Sequence, residues 1–123
     1  MTLDELFFFD KAEKQQNLYA ALVTKLTVRC PDFDVRVSKT QISFCSRHIF
    51  AMVSLPRRKV NGRSDYLLVS FGLAYQKDSP RIWQSVEAYP NRWTHHVPVF
   101  SEAELDEELL DWLHEAYVFA RTK

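Results

Sequence analysis

Glycine is scarce in this chain of 123 residues, which contains only Gly62 and Gly72. A loop that cradles a phosphate with backbone amides needs closely spaced glycines, so the sequence disfavours such a loop. No apolar run approaches the roughly 20 residues that span a bilayer. The N-terminal segment is acidic, and its short apolar run does not resemble a secretory signal. We therefore expect a cytoplasmic protein without a membrane partner.

Cysteine is also rare, with only Cys30 and Cys45 in the chain. Two thiols without an export signal are typical of reduced cysteines rather than a disulfide. No pair of cysteines or acids lies near the histidine doublet at a zinc-like spacing. The sequence therefore predicts neither a metal site nor a cofactor.

The formal net charge of the chain is zero, yet the charged residues are unevenly distributed. Residues 25–92 carry twelve basic and five acidic side chains, whereas residues 93–123 carry seven acids and two bases. This pattern predicts a basic sheet and acidic terminal helices. Either an anionic partner prefers the sheet side, or the two regions simply neutralise each other.

Length and composition predict one domain over residues 1–123, and the nine phenylalanines indicate a packed core. Leucines at helical spacing predict an interrupted helix over residues 3–27, with Thr2–Glu5 as a capping box and Asp10 capping a second segment. Ser101–Glu104 is another capping-box pattern. It precedes a last helix whose apolar face consists of Leu105, Leu109, Trp112, Leu113, Ala116 and Ala120.

Between these helices, alternating and apolar segments predict five or six short strands. Short connections favour an antiparallel meander, and two amphipathic helices can cover one of its faces. The predicted fold class is therefore α+β, with two layers and both terminal helices on one face of the sheet.

Two hairpins allow a register to be predicted. Asn61-Gly62 as a two-residue loop places Met52 opposite Phe71 on the core face. The same register makes the pairs Phe50–Leu73 and Ser54–Val69 on this face and Leu55–Leu68, Val53–Ser70 and Ala51–Gly72 on the other. A three-residue loop over residues 46–48 then places Phe44 opposite Phe50 and Ile42 opposite Met52.

The uncovered face predicted in this way has four apolar residues, Ile49, Val53, Leu55 and Leu68. Sheet curvature, a bound ligand or a second copy in a homodimer would cover them. Gly72 on this face marks either a close approach by another group or a bend in the sheet.

Residues 89–96 form the densest polar and aromatic cluster in the chain. Pro90-Asn91 predicts a turn that leads into a strand from Trp93, in which His95 and His96 point to opposite faces. Arginine suits carboxylate or phosphate, and tryptophan offers a face for stacking. We expect a ligand site composed of Lys39, Arg81, Tyr89, Asn91, Arg92, Trp93, His95 and His96. The alternative is that these residues are structural or solvated.

A second basic cluster, Arg57-Arg58-Lys59 with Arg63, lies at the tip of the predicted Asn61-Gly62 hairpin. Like charges at a hairpin tip are usually solvated, but they also suit salt-sensitive contacts with phosphates.

Several segments resemble a bacterial family known as domain of unknown function 5655. They are residues 37–44, 50–51, 89–96, 105–109 and 115–117. The resemblance implies a domain that stands alone or is fused to other small domains, some nuclease-like, and that is sometimes labelled a transport protein. It brings no established catalytic residues. Its motif-like positions fall on Lys39, Asn91, Arg92, Trp93, His95 and His96.

Three functions follow from these observations. The first is a binding module for an anionic small molecule or nucleic acid, and the second is a homodimeric interaction domain. The third, which the sequence favours least, is an enzyme with a histidine base oriented by Glu87 and with Ser43 or Cys45 as nucleophile. The sequence leans away from catalysis because it contains no recognised nucleophile motif.

Overall fold

The computed structural model describes all 123 residues. The helices are α1 (Leu3–Phe8), α2 (Glu13–Arg29) and α3 (Glu107–Thr122), and a single 3-10 turn (Glu102–Glu104) precedes α3. The strands are β1 (Asp34–Val37), β2 (Ile42–Ser46), β3 (His48–Ser54), β4 (Leu67–Leu73), β5 (Gln84–Tyr89) and β6 (Arg92–Val99).

All six strands form one antiparallel sheet in the order β1-β2-β3-β4-β6-β5. Helices α2 and α3 contribute to one core cluster with the strands, which confirms the predicted α+β fold with its helices on one face. A full meander would place β5 beside β4, but the chain passes over β6 and β5 becomes an edge strand. We call the helix-free side of the sheet the open face. None of the helices has the length and apolar character needed to cross a membrane.

The N-terminal helical region is interrupted, as predicted. The Thr2 hydroxyl accepts the Glu5 amide, and the Glu5 carboxylate accepts the Thr2 amide at 2.8 Å, so the first capping box is confirmed. The prediction that Asp10 caps the second segment is wrong. Asp10 belongs to the turn that ends α1, where its amide donates to Phe7, and Ala12 precedes α2 without a side-chain cap.

Helix α3 begins later than the capping-box pattern indicates. Asp106 is its N-cap, and its carboxylate accepts the Leu109 amide at 3.1 Å. Ser101 starts only the 3-10 turn and makes no capping bond to a backbone amide, while Glu104 reaches back to the Phe100 amide instead. The apolar face predicted for this helix is buried as expected.

The β2–β3 hairpin contains a bulge that the sequence did not indicate. Near its tip, Cys45 pairs with Ile49, as the three-residue loop predicts. Further along, Phe50 has no partner, so Phe44 pairs with Ala51 rather than with Phe50. A bulge of this kind adds one residue to one strand only.

Because strand side chains alternate, this extra residue exchanges the two faces of β3. Ala51 and Val53 are fully buried on the helix side, and Ile42 pairs with Val53. Met52 and Ser54 lie on the open face and are only partly buried. The predictions that placed Met52 and Ser54 in the core, and Ala51 and Val53 on the other face, are therefore wrong.

The Asn61-Gly62 turn itself is confirmed. Both residues are left-handed, with φ of 52° and 74°, and Val60 bridges to Arg63 across them. These are the angles that favour Asn-Gly in a two-residue hairpin loop.

The ladder beyond this turn is shifted by one residue from the predicted register. Met52 pairs with Ser70 and not with Phe71, because the segment from β3 to the turn is one residue longer than the return segment. Pro56 lies in the longer segment and cannot donate a ladder hydrogen bond. The observed pairs are Ala51–Phe71, Met52–Ser70, Val53–Val69 and Ser54–Leu68.

Candidate functional site

Residues 89–96 form the hairpin between β5 and β6. Tyr89 pairs with Arg92 across the turn, and Asn91 has a left-handed φ of 63°. The predicted turn and the strand that follows it are confirmed. The side chains of this segment nevertheless separate into different environments.

His95 lies on the helix side and is fully buried. Its ring stacks on Phe71 with 4.9 Å between centroids, and its Nε2 accepts the Lys77 amide at 2.9 Å. A backbone amide can only donate, so Nε2 carries no proton and the imidazole is neutral. Burial lowers the pKa of His95 further. The ring therefore fixes the connection between β4 and β5 and is closed to a surface ligand.

His96 points to the opposite face, as strand alternation predicts. Its Nδ1 lies 2.7 Å from the Ser70 hydroxyl on the neighbouring strand. Burial lowers the pKa of His96, so the ring is neutral near pH 7. Its Nε2 forms no hydrogen bond within the protein and is available on the open face.

Arg81 and Lys39 lie apart from this hairpin. Arg81 Nη1 is 2.8 Å from Asp106 and 2.9 Å from Glu108, and Nη2 donates to the Glu104 carbonyl. This network joins the β4–β5 connection to the start of α3 and uses the donors that a ligand would need. Lys39 is exposed in the β1–β2 turn.

Tyr89, Arg92 and Trp93 border a concavity of about 240 Å³ at one end of the sheet, where the open face meets the C-terminal end of α3. Phe119 and Lys123 from the end of α3 complete its rim. The Arg92 guanidinium lies 5.1 Å from the centre of the Phe119 ring. We call this depression the Arg92 concavity.

The eight residues predicted as a ligand site therefore do not share one pocket. Three of them line the Arg92 concavity, His96 opens elsewhere, His95 is buried, and Arg81 is held by carboxylates. Whether these residues bind a ligand stays a prediction. The structure brings a different set together.

That set surrounds a concavity of about 310 Å³ at the other end of the open face, lined in part by Arg57, Arg58, Trp83, Gln84 and His96. The Arg58 guanidinium lies 5.5 Å from the centre of the Trp83 indole. We call this depression the Arg57 concavity.

Two further contacts shape this depression. The Tyr66 hydroxyl donates to the Arg58 carbonyl at 2.7 Å and holds the basic loop against the sheet. On the open face nearby, the Gln41 amide contacts Ser43 at 3.0 Å. The basic cluster was visible in the sequence, but its approach to Trp83 depends on the position of β5, which local patterns do not give.

Charge pairing distinguishes the two faces of the molecule. The acids of α3 pair with Arg29, Lys77 and Arg81 on the helix side. Arg57 and Arg58 make no ion pair, and no Asp or Glu side chain lines either named concavity. The basic and acidic regions of the chain therefore neutralise each other on the helix side, whereas the two concavities of the open face keep a positive charge.

Comparison with known proteins identifies the family. The family model described as a domain of unknown function, DUF5655, matches residues 5–120. The chain belongs to the DUF5655 family. No curated protein and no solved structure matches it.

The DUF5655 match spans every strand and nearly all of α3, so it includes the residues of both concavities except Lys123. Its description names no activity, and the roles of these residues rest on their geometry.

A larger depression, with a volume of about 540 Å³, lies between α2, α3 and the end of β4. Its charged groups are already paired, Arg29 with Asp111 inside the depression and Glu115 with Lys77 outside it. It offers no free cation, and we regard it as a weaker candidate than the Arg57 concavity despite its size.

Three observations concern the groups that could serve catalysis or bind a metal. No group of three or more His, Cys, Asp or Glu side chains is placed to hold a metal ion. Burial raises the pKa of both cysteine thiols, that of Cys30 to about 11, which disfavours a reactive thiolate. Glu87 contacts the Asn91 amide rather than a histidine.

Proposed function

We propose that this DUF5655 domain is a cytoplasmic binding module that holds an anionic ligand in the Arg57 concavity. One observation carries the proposal, which is that two unpaired guanidinium groups line a depression without any acid. Elsewhere in the chain, Arg29 and Arg81 are matched by carboxylates. Cations left without counterions at a concave surface attract anions.

The chemistry of the lining fits a ligand that combines an anionic group with a planar one. Guanidinium groups bind phosphate or carboxylate through two parallel hydrogen bonds. The Trp83 indole provides a stacking surface, and Gln84 provides an amide donor and acceptor. The neutral His96 adds a hydrogen-bonding group whose tautomer its contact with Ser70 helps to fix.

Titration with adenosine monophosphate tests this proposal, since that probe has both an anionic and a planar group. Calorimetry in about 50 mM salt is expected to detect binding, and Arg57→Ala or Arg58→Ala should each lower affinity about tenfold, in line with the loss of a charged hydrogen bond. Lys59→Ala is the matched control, because it removes one charge from the same loop but does not line the concavity.

Unchanged affinity in both arginine variants, or no heat of binding to the wild-type protein, would contradict the proposal. An equal loss in Lys59→Ala would reduce it to a general attraction by the basic loop.

The homodimer is a weaker candidate. Val53, one of the four apolar residues expected on the uncovered face, is buried in the core, and Leu55 and Leu68 are already partly covered. Ile49 remains 43% exposed. The remaining apolar surface on this face is therefore too scattered to favour a second copy over an anionic ligand.

A further inference from the structure

The two concavities adjoin each other on the open face. On β3, Ser54 lines the Arg57 concavity and Met52 lines the Arg92 concavity. On β6, His96 lines the Arg57 concavity and Thr94 lines the Arg92 concavity. Residues two apart on a strand share a face and lie roughly 7 Å apart, so the two depressions form one track.

Polar groups separate the two ends of this track. Ser43, Ser70, His96 and Gln84 form a row across the sheet, with the apolar Met52 between Ser43 and Ser70. Ser70 and His96 are joined by their hydrogen bond, so the floor between the concavities is polar and ordered. A lipid tail would displace water from these polar groups without offering hydrogen bonds in its place, which disfavours an apolar occupant.

Cations occupy both ends of the track. Arg57 and Arg58 lie at one end, and Arg92 and Lys123 lie at the other. On β4 the track extends from Leu68 to Gly72, which is about 14 Å for four residue steps along a strand. One phosphate cannot reach both pairs of cations, but a chain with a phosphate at every unit can.

Aromatic side chains accompany the cations at each end. Trp83 lines the Arg57 concavity, and Tyr89 lines the Arg92 concavity. Trp83 is 38% and Tyr89 is 64% exposed, so both rings are accessible to a ligand. A cationic groove with exposed rings is the arrangement that binds single-stranded nucleic acid, because unpaired bases stack on the rings.

Resting on the proposed anion site, we propose that the open face binds single-stranded nucleic acid along this track, from Arg57 to Arg92. The phosphates contact the arginines at the two ends, and the bases stack against Trp83 and Tyr89. A duplex would bury its bases and leave these rings without partners.

Length dependence distinguishes this inference from the proposed function. We suggest fluorescence anisotropy with labelled thymidine and uridine oligonucleotides of two, four, eight and twelve residues in about 50 mM salt, with a duplex and poly-glutamate as competitors. Affinity should rise at least tenfold from two to eight residues, and then level off once both ends are filled. The two sugar series show whether deoxyribose or ribose is preferred.

Variants at both ends sharpen the measurement. Arg57→Ala and Arg92→Ala should each lower the affinity for the eight-residue oligonucleotide about tenfold. The affinity for the dinucleotide should fall in only one of the two variants. Lys25→Ala on α2 removes the same charge from the helix side and should change nothing. Loss of one phosphate contact should also reduce the slope of log affinity against log salt by about one.

Gly72 provides a test that does not alter charge. It lines the Arg92 concavity, and a Cβ added there would meet only the Trp93 carbonyl oxygen at 3.8 Å. Gly72→Val should therefore leave the melting temperature unchanged or raise it. The valine side chain should obstruct the track and lower the affinity for the eight-residue oligonucleotide at least fivefold.

Two outcomes would overturn the inference and leave the proposed function standing. One is adenosine monophosphate binding without any gain in affinity from two to eight nucleotides. The other is equal competition by poly-glutamate or duplex, which would assign the track to polyanions in general. Full oligonucleotide affinity in Gly72→Val with a normal melting temperature would exclude this path across the sheet.

Discussion

At the scale of single residues, His95 and His96 show how neighbours in a strand acquire opposite roles. His95 is fully buried against Phe71 and accepts the Lys77 amide, while His96 meets Ser70 on the open face. Strand alternation predicted that they diverge. Alternation alone does not predict which of the two histidines faces the helices, because that depends on which side of β6 the core covers.

The buried imidazole predicts a pH dependence. The folded-state pKa of His95 lies below its ordinary value, mainly because of burial, so the unfolded chain takes up the proton first as pH falls. Its contribution to stability is complete above the unfolded pKa near 6.5 and is lost as pH falls towards the folded pKa. His96 acts in the same direction.

His95→Gln should therefore be less stable at pH 7.5, by about 1–3 kcal/mol, yet lose less stability than wild type between pH 7.5 and 5.5. Guanidinium unfolding at each pH measures this, with His114→Gln on α3 as the control. A full wild-type pH response in His95→Gln would contradict the assignment of a neutral, buried ring.

Arg81 marks the limit of prediction at this scale. Its position near the aromatic cluster suggested a ligand contact, but its partners Asp106 and Glu108 lie about 25 residues further along the chain. A sequence pattern does not reveal an ion pair between elements so far apart. Arg57 and Arg58 were recognisable as a basic cluster, and only the fold shows that they stay unpaired beside Trp83.

At the scale of elements, turns were more predictable than registers. Asn61-Gly62 and Pro90-Asn91 follow from local backbone preferences, and both turns form as expected. The bulge at Phe50 has no glycine or proline to mark it. One unpaired residue was enough to exchange the faces of β3, and with them part of the predicted open face.

The two glycines provide a matched stability experiment. Gly62 has a φ of 74° and open space around it, so Gly62→Ala should cost about 1 kcal/mol through backbone strain alone. Gly72 lacks a positive φ and has room for a Cβ, so Gly72→Ala should be neutral or stabilising. Chemical denaturation of both variants measures the difference.

Equal losses in Gly62→Ala and Gly72→Ala would contradict this comparison. So would a loss confined to Gly72→Ala, which would mean that close packing, rather than space for a ligand, keeps glycine in β4.

At the scale of the whole molecule, the fold sorts the charges that the sequence only places in blocks. The chain is neutral overall, and the acids of α3 neutralise Arg29, Lys77 and Arg81 on the helix side. Four cations that make no ion pair, Arg57, Arg58, Arg92 and Lys123, lie at the two ends of the open face. The α+β class and the helix positions were predictable from periodicity, whereas this sorting depends on long-range pairing.

The most direct test of this account is the perturbation of backbone amide and tryptophan indole NMR signals by an eight-residue thymidine oligonucleotide. If the open face binds the oligonucleotide, the shifts will concentrate around Arg57, Ser70, Gly72, the Trp83 indole and His96, and residues 107–118 of α3 will stay unchanged. Shifts centred on α3 and the depression beside His114, or no shifts at all, would contradict the claim that the open face is the binding surface.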